Sequence, residues 1–167
     1  MAGANIATCA CALAAAMLTA TACPLSPQAA KVQESAFAWA SATRARLMND
    51  GVPDWAGNTK DSNLMINAVT KALWDSDLPQ RLLHTVEVFA GSSKITKCVY
   101  DKKFNAIAFE KDLSDMMDAR CLTGMCVLAF LMASMHEHGF VHFSPQRSGL
   151  CFRTQDVEVV VMDRCSA

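Results

Sequence analysis

The sequence has few charged residues at its start and little net charge overall. No charged side chain precedes Lys31, and 15 Lys and Arg balance 16 Asp and Glu to give a net charge of −1. This balance argues against strong electrostatic attraction to a phosphate backbone, so there is no strong nucleic-acid signature, although a local basic patch stays open. Seven Gly and five Pro exclude collagen-like and low-complexity classes. With 52% hydrophobic residues over 167 positions, the chain can instead form one packed domain.

The uncharged start is typical of a leader. Residues 1–23 are rich in Ala, Thr and Cys, and Ala20-Thr21-Ala22 is a small-x-small pattern that predicts a signal-peptide-like leader cleaved near Cys23. No Lys or Arg precedes the apolar run, so a membrane anchor and a soluble Ala-rich helix remain alternatives. A leader indicates a secretory or organellar route, a plastid included; without one, the cytoplasm is expected. Membrane association is expected only if the segment is retained.

The cysteines are not spaced as in a protein held together by disulfide bonds. Of eight, three lie within residues 1–23, and the other five have no tight spacing. We therefore expect mostly free thiols that pack as small apolar residues.

Residues 24–80 are predicted to be a linker and a helical segment. The Ala- and Ser-rich stretch within 24–60 is compatible with a second, transit-type targeting signal or with a short amphipathic helix over Ala36–Met48. Asp61–Asp75 predicts a helix capped by Asp61 or Ser62. Its apolar positions recur at helical spacing: Leu64, Met65, Ala68, Val69, Ala72 and Leu73.

Residues 81–163 change to alternating short strands and helices, with Gly139 expected to end the last helix. The strands are predicted at Leu82–Phe89, Ala106–Phe109, Phe140–Phe143 and Val157–Met162, and the helices at Ser93–Lys103 and Asp118–His136. This order predicts an α/β fold: a partial, three-layer Rossmann-like domain with a short parallel sheet, preceded by a helical N-terminal segment.

Val86–Glu110 has the parts of a nucleotide-binding βαβ unit. Gly91 tolerates a positive φ and lets a ligand approach the backbone. The helix that follows presents free N–H groups. Glu110 lies about 20 residues further on, where a carboxylate can accept ribose hydroxyls.

This stretch resembles the cofactor-binding half of class I S-adenosylmethionine-dependent methyltransferases. The first motif of the DNA cytosine-5 methyltransferases reads Asp/Glu-x-Phe-x-Gly, and here it is Glu87-Val88-Phe89-Ala90-Gly91. The resemblance implies that S-adenosylmethionine binds with its methionine part near Glu87 and the turn that contains Ser92, its ribose at Glu110 and its adenine edge at Asp118. The implied cofactor-binding residues are therefore Glu87, Phe89, Gly91, Ser92, Glu110 and Asp118.

The catalytic motif of that family is not matched. Where those enzymes have Pro-Pro-Cys, this chain has Ser144-Pro145-Gln146, and an amide is not a nucleophile of covalent catalysis. No catalytic residue is therefore assigned. Because the resemblance covers only Leu82–Phe152, less than half of the chain, the protein is interpreted as a truncated or repurposed relative, a pseudoenzyme. Methylation of an oxygen or nitrogen, which requires positioning rather than a Cys, stays open. The alternative is a non-catalytic scaffold subunit of a larger, organellar complex, with a protein partner on the open flank of the sheet.

Two other classes are weaker. A kinase loop would need a catalytic base, but His142-Phe143-Ser144 and the later Asp163 supply none in the required pattern. A zinc site could draw on the only His and Cys cluster, but no Cys-x-x-Cys supports it and no metal is predicted. Its members are His136, His138 and His142 with Cys121, Cys126 or Cys151.

Overall fold

The computed structural model describes residues 24–77 and 79–144. The predicted leader and the predicted strand Val157–Met162 lie outside these residues. The elements in chain order are helix α1 (Pro27–Asn49), helix α2 (Thr59–Trp74), strand β1 (Leu83–Val88), helix α3 (Lys94–Asp101), strand β2 (Ala106–Phe109), a 3-10 turn (Asp115–Met117), helix α4 (Leu122–Ala133) and strand β3 (Met135–Phe143). None of the helices described is long and apolar enough to cross a membrane.

Helix α1 begins well before the helix predicted at Ala36–Met48. Ser26 caps it by accepting a hydrogen bond from the backbone N–H of Ala29 at 3.1 Å, and Pro27 occupies its first turn. Proline is favourable there because the first N–H groups of a helix have no intrahelical partner. Of the two interpretations of this stretch, the structure shows the helix, and it covers Pro27–Asn49 rather than Ala36–Met48 alone. Small residues dominate the buried positions, Ala29, Val32, Ala36, Ala40, Thr43 and Leu47.

Helix α2 confirms the helix predicted over Asp61–Asp75 and corrects its cap. The Asn58 side chain accepts a hydrogen bond from the N–H of Asp61 at 3.0 Å, so Asn58 rather than Asp61 or Ser62 is the N-cap. Met65, Val69 and Ala72 are buried, as the helical spacing predicts. Leu64, assigned to the same face, is 47% exposed.

The sheet has the predicted parallel arrangement with β1 at its centre. The strand order is β2-β1-β3, with Val88 paired to Phe109 on one side and to Phe143 on the other. Crossovers between parallel strands are almost always right-handed. Because β1 to β2 and β2 to β3 step in opposite directions, helices α3 and α4 lie on opposite faces. The fold is a partial α/β, Rossmann-like domain.

The long helix predicted over Asp118–His136 is wrong at both ends. Asp115–Met117 forms the 3-10 turn, and α4 begins only after Cys121, whose thiol accepts a hydrogen bond from the N–H of Gly124 at 3.3 Å. At the other end, β3 starts at Met135, so Gly139 lies inside a strand and does not end a helix. The predicted strand Phe140–Phe143 is the second half of β3.

The core lies between the sheet and the helices packed on its α4 side. Helix α4 contacts α1 and α2 as well as β1 and β3, which explains why it is apolar nearly all round. Cys126 on this helix is fully buried, and burial raises the pKa of its thiol to about 12. It is one of three free cysteines in the part of the chain described, with Cys98 exposed and Cys121 half-buried.

Candidate functional site

The candidate site lies where strands β1 and β2 end side by side. The backbone N–H of Gly91, in the turn after β1, donates a hydrogen bond to Oε2 of Glu110, the residue after β2, at 3.2 Å. The Phe89 N–H donates to the Phe109 carbonyl at 2.9 Å, which extends the pairing of the two strands into the turn. The turn after β1 and the acid after β2 are therefore in direct contact.

The turn after β1 adopts an unusual backbone. Phe89, Gly91 and Ser93 have φ angles of 58°, 49° and 52°. Glycine accepts such angles freely, but a bulky residue does so at a cost of about 1–3 kcal/mol. Such strain is concentrated at binding sites, and Phe89 is 40% exposed in this turn. Ser92 is exposed in the same turn, and its carbonyl accepts a hydrogen bond from Lys97 Nζ at 3.1 Å.

Glu87 is buried near the end of β1, and Thr96 of helix α3 donates hydrogen bonds to its side chain. Its Oε2 accepts hydrogen bonds from the Thr96 backbone N–H at 2.8 Å and from the Thr96 hydroxyl at 2.7 Å. Only 2% of Glu87 and none of Thr96 is exposed. Two hydrogen bonds from one residue to the same oxygen fix the orientation of the Glu87 side chain.

Glu110 is buried at the end of β2, with 6% of its surface exposed. Oε2 accepts from Gly91 and Oε1 accepts from the N–H of Lys111 at 3.0 Å. Ion pairs in the described part of the chain join Arg44 to Asp54, Arg120 to Asp118 and His138 to Glu137, so neither Glu87 nor Glu110 has a basic partner there. The site thus combines two buried carboxylates with backbone and hydroxyl donors, and no Lys or Arg of residues 24–77 and 79–144 forms an ion pair with either.

Asp118 is held within its own loop. Arg120 donates to its two carboxylate oxygens at 3.0 and 2.7 Å, and the Arg120 backbone N–H donates at 3.0 Å. These hydrogen bonds with Arg120 are the main reason that the pKa of Asp118 is lowered to about 2. The strand ends bring together Glu87, Phe89, Gly91, Ser92 and Glu110, whereas the Asp118 carboxylate is already occupied by Arg120.

Thr96 is the member of this site that the sequence analysis did not identify. A hydroxyl residue in the first turn of a helix that follows a buried acidic strand residue is the signal that could have found it. Ser93 occupies the N-cap position of α3, but its side chain makes no capping hydrogen bond.

The histidines do not form a metal centre within residues 24–77 and 79–144, where no group of three metal-ligating side chains converges. His136 and His138 lie in β3 with ring centroids 5.6 Å apart, and Nδ1 of His136 accepts from the His138 N–H at 3.2 Å. The other predicted ligand Cys151, the residue Asp163 and Pro145-Gln146 lie outside the described residues.

Two open clefts elsewhere do not involve the strand ends. One of about 300 Å³ lies between α1, α4 and the chain before β1, lined by Val32, Leu82 and Phe130 among others. Another of about 320 Å³ lies between the C-terminal halves of α1 and α2.

Comparison with known proteins adds no assignment. No protein-family model matches the chain, and neither a search of curated proteins nor a search of solved structures finds a similar protein.

Proposed function

We propose that the protein binds S-adenosylmethionine at the ends of β1 and β2 and is a methyltransferase-like protein. The observation that carries the proposal is the hydrogen bond from the Gly91 N–H to the Glu110 carboxylate. It joins a positive-φ turn after one parallel strand to an acid after the next. Ligands of open α/β sheets bind outside the carboxyl ends of the strands, and an acid at the second strand end is suited to ribose hydroxyls.

The groups present suit this cofactor better than a nucleoside phosphate. Carboxylates accept hydrogen bonds from hydroxyl and ammonium groups, and Glu110 and Glu87 supply such acceptors near the ribose and methionine parts. A phosphate would instead need basic side chains or several free N–H groups, and two buried acids disfavour it. Phe89 and Ser92 supply the exposed surface of the turn. The assignment of the adenine edge to Asp118 is not included, since Arg120 already holds that carboxylate.

S-adenosylmethionine, when bound, supplies a methyl group on a sulfonium centre. No nucleophile is assigned in this chain, because Gln146 stands where the resembled family has Cys. The contribution of the residues described is to hold the cofactor and to orient it. Transfer to an acceptor oxygen or nitrogen would depend on positioning alone, while loss of activity would leave a cofactor-binding pseudoenzyme.

Isothermal titration calorimetry with S-adenosylmethionine tests the proposal. We expect micromolar binding to the full chain. Glu110→Ala should weaken binding at least about tenfold, the loss typical of a charged hydrogen-bond partner. Asp112→Ala, an exposed acid in the same loop, is the matched control and should leave binding unchanged. A folded chain that gives no heat at millimolar cofactor would overturn the proposal.

A non-catalytic scaffold is the second candidate, and strand β3 favours it. Within the described residues β3 is an edge strand, and Phe140 and Phe143 are 51% and 56% exposed. Free strand edges and exposed apolar rings invite association. This function predicts that the native protein co-purifies with a larger complex and shows no cofactor binding. A monodisperse monomer that binds S-adenosylmethionine would count against it.

A further inference from the structure

Three of the four histidines of the chain form a row of rings where strands β1 and β3 begin. The His84 ring stacks on the His136 ring, with centroids 5.4 Å apart and planes 13° apart, and His136 lies 5.6 Å from His138. The row continues to Phe104 before β2, whose ring centroid is 5.0 Å from that of His84. We propose that this histidine row is a pH-sensitive contact, which holds the start of β3 against β1 at neutral pH and releases it when the rings become protonated.

Strand β3 is irregular where it passes His84. Between its pairing with Leu83 and its pairing with Thr85, β3 has three residues more than β1, so residues 136–139 form a bulge opposite the single residue His84. Bulges at sheet edges interrupt regular pairing and redirect side chains. The bulge turns closely over β1, since a Cβ on Gly139 would lie 3.0 Å from the Leu83 carbonyl oxygen. The ring contacts therefore contribute to the attachment of β3 at a point where its regular pairing is interrupted.

Both stacked rings accept a backbone hydrogen bond at Nδ1. Nδ1 of His84 accepts from the Asn105 N–H at 3.3 Å, and Nδ1 of His136 accepts from the His138 N–H at 3.2 Å. A ring nitrogen that accepts a hydrogen bond carries no proton, so both rings are neutral with their proton on Nε2. An imidazolium ring carries a proton on each nitrogen and can only donate. Protonation therefore leaves each of these backbone N–H groups facing a second donor.

The charges around the row also favour neutral rings. Two imidazolium rings at the distance between His84 and His136 would repel each other, more strongly than in water because both side chains are half-buried. In residues 24–77 and 79–144, the one ion pair of a histidine joins the exposed side chains of His138 and Glu137 at 3.4 Å, so no carboxylate compensates the stacked pair. Helix α4, which precedes β3, carries no charged residue. The other charged residues close in sequence to the row are basic: Arg81 and Lys103.

Acid should therefore loosen one end of β3 and not the other. An ordinary histidine becomes charged near about pH 6.5, so an attachment that needs neutral rings is present above that pH and is lost as the pH falls below it. The second half of β3 pairs regularly with β1, and the Ser144 N–H donates to the Val88 carbonyl at 2.9 Å. The histidine row lies at the opposite end of the sheet from Gly91 and Glu110, so this inference does not depend on the proposed function.

Amide hydrogen exchange of the full chain at about pH 7.5 and about pH 5.5, corrected for intrinsic exchange rates, tests the proposal. The Leu83 N–H, which donates to the Ser134 carbonyl at 2.9 Å, should lose at least about tenfold in protection at the lower pH. The Ser144 N–H at the other end of β3 should change less than about threefold. Equal protection of Leu83 at both pH values overturns the proposal, and so does an equal loss at both ends of β3, which would indicate general destabilisation.

Asparagine variants test whether the histidines cause the effect. The double variant His84→Asn and His136→Asn places an acceptor oxygen where each Nδ1 lies and cannot become charged, so Leu83 should stay protected at the lower pH. His142→Asn, on the same strand but outside the row, is the matched control and should keep the wild-type loss. If the double variant does not fold, His136→Asn alone should show a smaller loss than the wild type. Variants of the row that keep the full wild-type loss overturn the proposal.

Discussion

Gly124, in the first turn of α4, packs so closely against the backbone carbonyl of Asp118 that a Cβ atom on residue 124 would not fit. The same carbonyl accepts a hydrogen bond from the thiol of Cys121 at 3.1 Å. The loop after β2 is thus pressed onto the start of α4 at a point where no side chain can intervene. This close approach fixes the path of the chain from the candidate site into the core helix.

Gly124→Ala should therefore be strongly destabilising, because its Cβ would have to displace backbone atoms of Asp118. We expect the free energy of unfolding to fall by about 3 kcal/mol, as in severe overpacking. Urea denaturation measures the change. Gly57→Ala is the matched control: its Cβ would meet only Asp61 Oδ2 at 3.5 Å, an ordinary contact. If both variants have wild-type stability, the close approach is not as described.

The second prediction concerns the buried hydroxyl of Thr85, which has no hydrogen-bond partner among the residues described. Thr85→Val replaces it with a methyl group of similar size and should raise the free energy of unfolding by about 1 kcal/mol. Thr96→Val removes a hydroxyl that does bond a buried carboxylate and should lower it by about 2 kcal/mol. Thermal or urea unfolding of both variants gives the comparison. The same sign of change in both would contradict this reasoning.

The third prediction concerns the backbone strain at Phe89, whose φ is 58°. An L-residue with a Cβ atom is sterically strained in this conformation, whereas glycine is not. Phe89→Gly should therefore be more stable than Phe89→Ala by about 1 kcal/mol in urea denaturation. Phe104, also half exposed but without a positive φ, is the matched site, and there the alanine variant should be the more stable one. The same order at both positions would argue against strain at Phe89.

The fourth prediction concerns the pH dependence of the Asp118–Arg120 pair. The guanidinium of Arg120 holds the pKa of Asp118 at about 2, below its ordinary value of 3.8. A carboxyl group with a lowered folded-state pKa contributes stability that is present above its unfolded-state pKa and is lost as the pH falls toward the folded-state value. Arg120→Gln should therefore cost stability at neutral pH, and the difference from wild type should shrink between about pH 4 and pH 2.

Carboxyl NMR titration of Asp118 supplies the direct readout, since its pKa should rise toward 3.8 in the Arg120→Gln protein. Arg44→Gln, which removes the partner of Asp54 instead, serves as control and should leave the Asp118 titration unchanged. An Asp118 pKa that is the same with and without Arg120 would refute the assignment of cause.

Much of the sheet could be predicted because its strands are short, apolar and bounded by turns. Ala106–Phe109 was predicted with the bounds observed, and Leu82–Phe89 differs from β1 by one residue at each end. Their parallel pairing is also as expected. The contact between Gly91 and Glu110 follows from this geometry, since residues that follow adjacent parallel strands meet at one edge of the sheet.

The bounds of α4 could not be predicted from periodicity. A segment that is apolar on nearly all sides has no helical periodicity in its hydrophobic residues. The sequence pattern therefore does not show that the helix ends at Ala133 and that β3 begins at Met135. Helix α1 was underestimated for another reason: Pro27 and the Ala-rich sequence suggest a linker when read alone, but Ser26 and Pro27 begin a helix. The role of Thr96 depends on a contact between elements, which spacing along the chain does not reveal.

The central position of β1 also has a consequence for synthesis of the protein. Its two neighbours are made after it, and the second, β3, is completed only at Phe143. During synthesis both sides of β1 are therefore unpaired until β2 is made, and one side stays unpaired until β3 follows. Because unpaired apolar strands are prone to aggregate, we expect chaperone dependence to be greatest for chains halted just before Met135 and to fall once β3 has emerged.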